Sequence, residues 1–152
     1  ECMEKIENKM LIFRLGEECY SAYISEIERI LEYTEAVQIP DAPSFVEGVI
    51  NYEGHVMPVI NLCKKFKLDC CNNNCKDFKI IVVKRENRKF GVIVNNVYEV
   101  SSVCDEMLEK VPSITLSENN NYIKGLVKVD SKIIILLDME SLLSKEDIDQ
   151  IF

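Results

Sequence analysis

The chain has no tryptophan, a single histidine, and only five glycines and four prolines among its 152 residues. It lacks an apolar run of the roughly 20 residues that a membrane-spanning helix needs, so we expect no direct membrane insertion. Basic residues are also in deficit, with 18 lysines and arginines against 26 aspartates and glutamates and a net charge of −8. Because no basic face is left to neutralise phosphates, this balance excludes nucleic acid as the main partner.

The motifs of common enzyme active sites are absent as well. The sequence contains no phosphate-binding glycine loop, zinc-protease motif or nucleophile elbow. Its one histidine, His55, follows Gly54 in a predicted tight turn, where we expect a surface residue and not a ligand. The sequence therefore predicts no catalytic residue, no cofactor and no resident metal.

Cysteine is unusually frequent, with seven in the chain. Cys70, Cys71 and Cys75 form the pattern C-C-x-x-x-C, and Cys63 lies just upstream. Four thiols could hold zinc or an iron–sulfur cluster, which leaves a metal or redox sensor as an alternative function. Because the pattern contains no C-x-x-C pair and we expect no export signal, reduced thiols in a variable loop are predicted.

Apolar runs of four to eight residues, bounded by glycine, proline, asparagine and charges, follow one another along the chain. This pattern predicts about five antiparallel strands in each half, with a short helical turn after each set, the first over Lys64 to Leu68. Ser144 and Asp147 have the spacing of a helix N-terminus, so a last short helix is predicted over about 144–151.

The two halves of the chain repeat each other. Shifts of 70 and 77 residues align Tyr20 with Phe90, Ile27 with Val97, Ile30 with Val100, Gly48 with Gly125, and Val56 with Ile133. Two matching blocks in the same order, each with an aligned glycine or apolar series, favour an internal duplication.

The repeat predicts an all-β fold of two small barrels, since five short strands avoid exposed edges most readily by closing. Neither barrel is large enough to bury much surface alone, so we expect the two to share a hydrophobic seam. The chain is predicted to form one domain over 1–152. Its subdomains are expected at about 10–68 and 78–143, joined by a polar interbarrel loop at 69–77.

Several segments resemble the CheW family of chemotaxis coupling proteins. They are Phe13 to Tyr20, Ile24 to Ile30, Gly48 to Gly54, Pro58 to Leu62, Gly91 to Val97, and Tyr122 to Gly125. The pattern G-V-I-N-x-x-G-x-x-x-P-V-I-x-L is the most specific of these, and the likeness spans about residues 10–143. The resemblance implies two five-stranded SH3-like barrels on a shared core, with short helices after each barrel, and a free-standing adaptor that is not an enzyme.

The resemblance also implies partners and a location. Family members join the cytoplasmic signalling tips of methyl-accepting chemoreceptors to the regulatory domain of the histidine kinase CheA. The receptor tip, a helical hairpin, sits in a groove between the barrels, and the kinase contacts mainly an edge of one barrel. By this likeness the chain is expected to be cytoplasmic and to be recruited to membrane receptor arrays.

Six partner-binding residues follow from the resemblance: Ile27, Arg29, Gly48, Asn51, Glu53 and Gly54. The uncharged ones have structural alternatives. The glycines could supply turn or bulge geometry, the asparagine could tie the adjacent turn internally, and the isoleucine could belong to the core.

Arg29 and Glu53 reverse the charges that the resemblance implies, since the family usually has an acid at the first position and an arginine at the second. The family also usually has aspartate at Asn61 and Asn95 and arginine at Cys63. A paired reversal keeps the local charge sum, so we predict an ion pair between Arg29 and Glu53 across neighbouring strands, beside the partner-binding face. The alternative is two independent solvated substitutions. The changes leave open a divergent module that serves another receptor–kinase set.

Overall fold

The computed structural model describes residues 9–68, 77–85, 87–110 and 122–151. These residues form eleven strands, two short helices and three-residue 3-10 turns. The strands are β1 (Lys9–Leu15), β2 (Glu18–Tyr23), β3 (Ile27–Glu32), β4 (Val46–Tyr52), β5 (His55–Asn61), β6 (Lys79–Arg85), β7 (Arg88–Val94), β8 (Asn96–Ser102), β9 (Leu108–Glu109), β10 (Ile123–Val129) and β11 (Lys132–Leu137). The helices are α1 (Leu62–Lys65) and α2 (Lys145–Ile151), and the 3-10 turns are Ile24–Glu26, Asp105–Met107 and Met139–Ser141. The predicted all-β class is confirmed.

The strands form two sheets. Sheet A has the order β8-β1-β2-β11-β10-β9, and sheet B has the order β3-β6-β7-β5-β4. Neighbours are antiparallel except for β2 with β11 and β5 with β7, which are parallel. Within the described ranges each sheet keeps two edge strands, so the hydrogen-bonded closure expected of a barrel is not seen there.

Each sheet takes strands from both halves of the chain. The first hairpin, β1 and β2, lies in sheet A with the late strands, whereas β6 and β7 lie in sheet B with the early ones. The sheets therefore do not follow the predicted division into residues 10–68 and 78–143. The chain changes sheet directly after each of these hairpins, at the turn Ile24–Glu26 and at Asn95.

The segment 69–77, predicted as an interbarrel loop, has β5 and α1 before it and β6 after it. Since β5 and β6 belong to the same sheet, this segment does not connect the two sheets. Residues 69–76 of it lie outside the described ranges.

Within the described ranges apolar side chains form three clusters, one shared by both sheets and one belonging to each sheet alone. The shared cluster, called the seam below, includes Leu11, Phe13, Leu15, Tyr20, Ile60, Leu62, Ile81, Val83, Phe90, Val92, Leu137 and Met139. In β6 the residues alternate, with Ile81 and Val83 in the seam and Ile80 and Val82 in the cluster of sheet B. This period of two lets one strand serve two apolar layers, and it confirms the shared core.

The strand order supports the predicted duplication. The aligned positions fall on β2 and β7, β3 and β8, β4 and β10, and β5 and β11. In sheet B, β3 is an edge strand and β5 pairs in parallel with a hairpin strand; in sheet A, β8 and β11 have the same places.

The predicted range of the last helix, α2, is correct to within one residue. Side-chain contacts stabilise the start of this helix. The Ser144 Oγ atom accepts a 3.0 Å hydrogen bond from the Asp147 N–H, and the Asp147 Oδ2 atom accepts a 2.9 Å hydrogen bond from the Ser144 N–H. Asp147 also forms a 3.3 Å ion pair with Lys65 on α1. Helix α1 begins two residues before the prediction because the Asn61 side chain caps it, accepting from the Lys64 N–H.

Candidate partner-binding surface

The predicted ion pair between Arg29 and Glu53 is present. The Arg29 Nη1 and Glu53 Oε2 atoms are 3.2 Å apart, and the side chains are 55% and 46% exposed. The expectation that the pair spans neighbouring strands is wrong, because β3 and β4 are the opposite edges of sheet B. The curvature of the sheet therefore brings its two edges together at this end.

Tyr52 lies next to the pair, at the end of β4, and is only 5% exposed. Its hydroxyl donates a 2.8 Å hydrogen bond to Glu28 Oε2, and Lys89 Nζ donates to the same oxygen over 2.9 Å. The Arg29 and Lys89 cations lie 5.8 and 5.6 Å from the ring centroid, within cation–π range. Together with Glu53, these residues form what we call the Tyr52 network, which links β3, β4 and β7.

Two pKa shifts follow from these contacts. Hydrogen bonds from Lys89 and then from Tyr52 hold the pKa of Glu28 below its usual value. Burial, followed by the hydrogen bond to the Glu28 carboxylate, raises the pKa of Tyr52. Both shifts favour an ionised Glu28 and a protonated Tyr52, so the network is fully bonded at neutral pH.

Glu53 is presented by a two-residue turn between β4 and β5. Glu53 and Gly54 have φ angles of 52° and 83°, the left-handed region that a tight hairpin of the I′ type requires. The Asn51 Oδ1 atom accepts a 3.0 Å hydrogen bond from the Gly54 N–H. These contacts support the structural alternative for Asn51 and Gly54: they shape the turn that carries the charged residue.

Gly48 has a structural role. Its φ is 143°, and a Cβ added there would lie 2.2 Å from the carbonyl oxygen of Val37. Val37 exchanges two 2.9 Å backbone hydrogen bonds with Val49, so the segment before β4 passes directly over this position. The glycine thus allows the close approach of two backbones within the chain, as the structural alternative predicts.

Ile27 begins β3 and packs, partly buried, on the seam. Val97, its partner in the repeat, does the same from β8. Three residues further along, Ile30 and Val100 are 41% and 52% exposed. They pair with the seam residues Ile81 and Leu11, so both point to the seam side of their sheets.

Of these four residues, only Ile27 was predicted from the sequence to bind a partner. The signal that could have identified the others was the repeat itself, which aligns Ile27 with Val97 and Ile30 with Val100. The structure places all four on the two edge strands that flank the seam. We refer to them as the edge stripes.

An open cleft of about 370 Å³ lies beside the Tyr52 network. Tyr52, Val56 and Met57 provide its apolar surface, and Arg88 and Lys89 line it as cations. Val56 is 75% exposed, which makes it the most exposed of the large apolar side chains described. His55 also lines this cleft and is exposed, as expected of a surface turn residue.

The expectation of reduced thiols is wrong for two cysteines, since Cys63 and Cys104 are disulfide-bonded. Disulfide formation depends on distances in the fold, which spacing along the sequence does not show. Cys63 Sγ lies 3.5 Å from Asn95 Oδ1, a contact and not a hydrogen bond, because a disulfide sulfur carries no proton. The candidate ligands Cys70, Cys71 and Cys75 lie outside the described residues.

Within the described ranges, no three histidine, cysteine, aspartate or glutamate residues lie close enough together to hold a metal ion. No helix in the same ranges has the length and apolar character needed to cross a bilayer.

Comparison with known proteins gives one consistent result. The family model that describes the CheW-like domain matches residues 9–147 of this chain. The chemotaxis protein CheW of Klebsiella aerogenes is 31% identical over 144 residues, which are 95% of this chain and 86% of that protein. The CheW of Helicobacter pylori is 31% identical over 134 residues, covering 88% of this chain and 80% of that one.

A solved structure is also similar. The crystal structure of the scaffolding protein TtCheW from Thermoanaerobacter tengcongensis superposes with a TM-score of 0.83 at 30% identity. The alignment covers 93% of this chain and 96% of that one.

Proposed function

This chain belongs to the CheW family of chemotaxis coupling proteins, and from that premise we propose that it joins chemoreceptor signalling tips to the regulatory domain of the histidine kinase CheA. Proteins of this family are scaffolds or adaptors and not enzymes. The proposal includes a cytoplasmic location with recruitment to receptor arrays at the membrane.

The edge stripes are the observation that carries the receptor part of the proposal. Ile27 and Val97 pack on one cluster from two different sheets, and Ile30 and Val100 continue outward from them with half of their surfaces exposed. Apolar side chains on two flanking strands form a surface on which a helical hairpin could bury its own apolar residues. Ile27 is therefore proposed as both a core and a receptor-contacting residue.

The Arg29–Glu53 pair supports a second contact. It lies at one end of sheet B, and about half of each side chain is open to solvent. A charged pair held in one geometry favours a partner with complementary charges and disfavours one with like charges. In this proposal Arg29 and Glu53 touch the partner, Asn51 and Gly54 shape the turn that carries Glu53, and Gly48 acts only through the backbone.

The reversed order of these charges favours a second, narrower candidate. Here the chain serves a receptor–kinase set whose own charges are reversed to match. The general adaptor role and this narrower one share the same fold and surfaces, and they differ in which genome's partners bind.

The test is binding to the receptor tip fragment and the CheA regulatory domain encoded in the same genome, measured singly and together. We expect a ternary complex. The Ile30→Lys and Val100→Lys variants should weaken receptor binding about tenfold or more, because each places a charge in an apolar contact. Val37→Lys is the matched control, since Val37 is 70% exposed and pairs with Val49 on β4, at the edge of sheet B opposite to β3.

Failure of the wild-type chain to bind either partner would overturn the adaptor proposal. Equal losses in all three lysine variants would leave the adaptor role standing and would contradict the edge stripes as its receptor surface. Binding only to partners from a relative with the usual charges would contradict the narrower candidate.

A further inference from the structure

The turn Ile24–Glu26 carries the chain from sheet A to sheet B, and Glu26 is anchored there. Its side chain is only 9% exposed. The Oε1 atom accepts a 2.8 Å hydrogen bond from the backbone N–H of Met139, and Oε2 lies 2.5 Å from Lys124 Nζ. One carboxylate thus joins the start of β3 to two points that are 98 and 113 residues away in the sequence.

Lys124 is itself held on a second side. Its Nζ atom lies 4.7 Å from the ring centroid of Tyr23, the last residue of β2. The cation therefore sits between an aromatic ring just before the turn and a carboxylate at its end. Because the ring and the carboxylate flank the change of sheet, this arrangement fixes the path of the chain between them.

The start of β3 needs such an anchor. β3 is an edge strand, and its pairing with β6 shifts register between Ile27 and Arg29. A register shift interrupts the regular backbone ladder at the point where Ile27 packs on the seam. Side chains hold the strand on both sides of this point, Glu26 before it and the Tyr52 network after it.

We propose that Glu26 is a positioning residue for the edge stripe of β3. It fixes where the strand begins, and so it holds Ile27 and Ile30 in the orientation in which a receptor tip meets them. Glu26 itself does not touch the partner. The inference rests on the proposed function in one respect, the identity of the partner that β3 contacts.

Three variants test this positioning role. Glu26→Ala removes both contacts, and we expect about tenfold weaker binding of the receptor tip fragment, a loss typical of a buried charged hydrogen bond. Glu26→Gln keeps an oxygen that can accept from the Met139 N–H, so we expect it to recover most of that loss. Glu109→Ala is the control. It removes an exposed 3.0 Å ion pair with Lys128, which lies on β10, the strand that also carries Lys124. We expect no change in receptor binding.

Hydrogen exchange separates positioning from general destabilisation. In Glu26→Ala the amides of β3 should exchange faster, while those of β7 in the same sheet keep their wild-type rates. The inference would be overturned if the β3 amides of Glu26→Ala exchanged at wild-type rates, or if this variant bound the receptor tip as tightly as the wild type does. If the wild-type chain binds no receptor tip, the proposed function fails, and the β3 exchange rates alone decide the anchoring role of Glu26.

Discussion

Sheets A and B share one strand arrangement, but the end of sheet B at the β4–β5 turn differs in chemistry from the end of sheet A at the β10–β11 turn. In sheet B this end holds the Tyr52 network of Glu28, Arg29, Tyr52, Glu53 and Lys89. The positions that the repeat aligns with these in sheet A hold Tyr98, Glu99, Val129, Asp130 and Cys19. Glu53 and Asp130 share a left-handed backbone, with φ of 52° and 57°, so the turns match although the side chains do not.

The difference shows that the same strand arrangement can be stabilised at this end either by apolar packing or by polar contacts. In sheet A, Cys19 and Val129 pack against an apolar cluster that belongs to that sheet. In sheet B, the aligned Lys89 and Tyr52 join a network of hydrogen bonds and cation–π contacts. The aligned Glu99 and Asp130 are both acidic and cannot form an ion pair of the Arg29–Glu53 kind, so we expect charge-selective recognition by that pair at the end of sheet B.

The largest expected effect concerns the two aligned glycines. Gly48→Ala should lower the free energy of unfolding by more than about 3 kcal/mol, because the new Cβ would clash with the Val37 oxygen at a φ of 143°. Gly125→Ala should cost only about 1 kcal/mol, since its Cβ would lie 3.0 Å from the Glu109 oxygen. Urea denaturation of both variants measures the difference. Equal losses would show that the two sheets are more alike at this position than the structure indicates.

The second effect concerns partner binding through the charged pair. Arg29→Glu and Glu53→Arg should each weaken binding of the receptor tip or the kinase domain by about tenfold, because each creates like charges at the surface. The double exchange removes the repulsion within the pair but presents the two charges in the reverse order, so it should recover binding only to partners whose charges suit that order. The stability change should be small, about 0.2–1 kcal/mol, since the pair is exposed.

Lys128→Glu serves as the control for this cycle, because it disrupts the exposed pair with Glu109 in sheet A. It should leave binding unchanged. A double exchange that binds the chain's own partners as tightly as the wild type does would show that the order of the two charges does not select the partner.

The smallest effect is a pH dependence confined to sheet B. The pKa of Glu28 is lowered in the folded state, so its contribution to stability is present above the unfolded pKa and is lost as pH falls through the folded one. The stability difference between the wild type and Glu28→Gln should therefore be below about 1 kcal/mol at pH 7 and shrink in the acid range.

Thermal denaturation at several pH values measures this difference. Repeating it in the Tyr52→Phe/Lys89→Met background removes both hydrogen-bond donors and should abolish the trend. A trend that persists without the donors would assign it to other groups.

Much of the fold could be predicted because it depends on local patterns. Alternating apolar residues and turn residues located the strands, and Ser144 with Asp147 located α2. The exchange of hairpins could not be predicted, because apolar strands of similar composition do not specify which sheet they join. That choice depends on long-range pairings such as β2 with β11.

The candidate site divides in the same way. The Arg29–Glu53 pair could be predicted since two charges are reversed together. Glu28 and Lys89 carried no such signal, because each is an ordinary charged residue whose role appears only when Tyr52 is placed between the strands. The disulfides of Cys63 and Cys104 also depend on distances that the sequence does not contain.

The exchange of hairpins has a consequence for how the chain is made. Ser21 on β2 hydrogen-bonds to Ile135 on β11, 114 residues later. At about 5–20 residues per second of synthesis, the first hairpin leaves the ribosome and waits on the order of ten seconds for its parallel neighbour. During that interval β1 and β2 expose apolar residues that end in the seam. Folding of this adaptor is therefore completed only when nearly all of the chain has been synthesised.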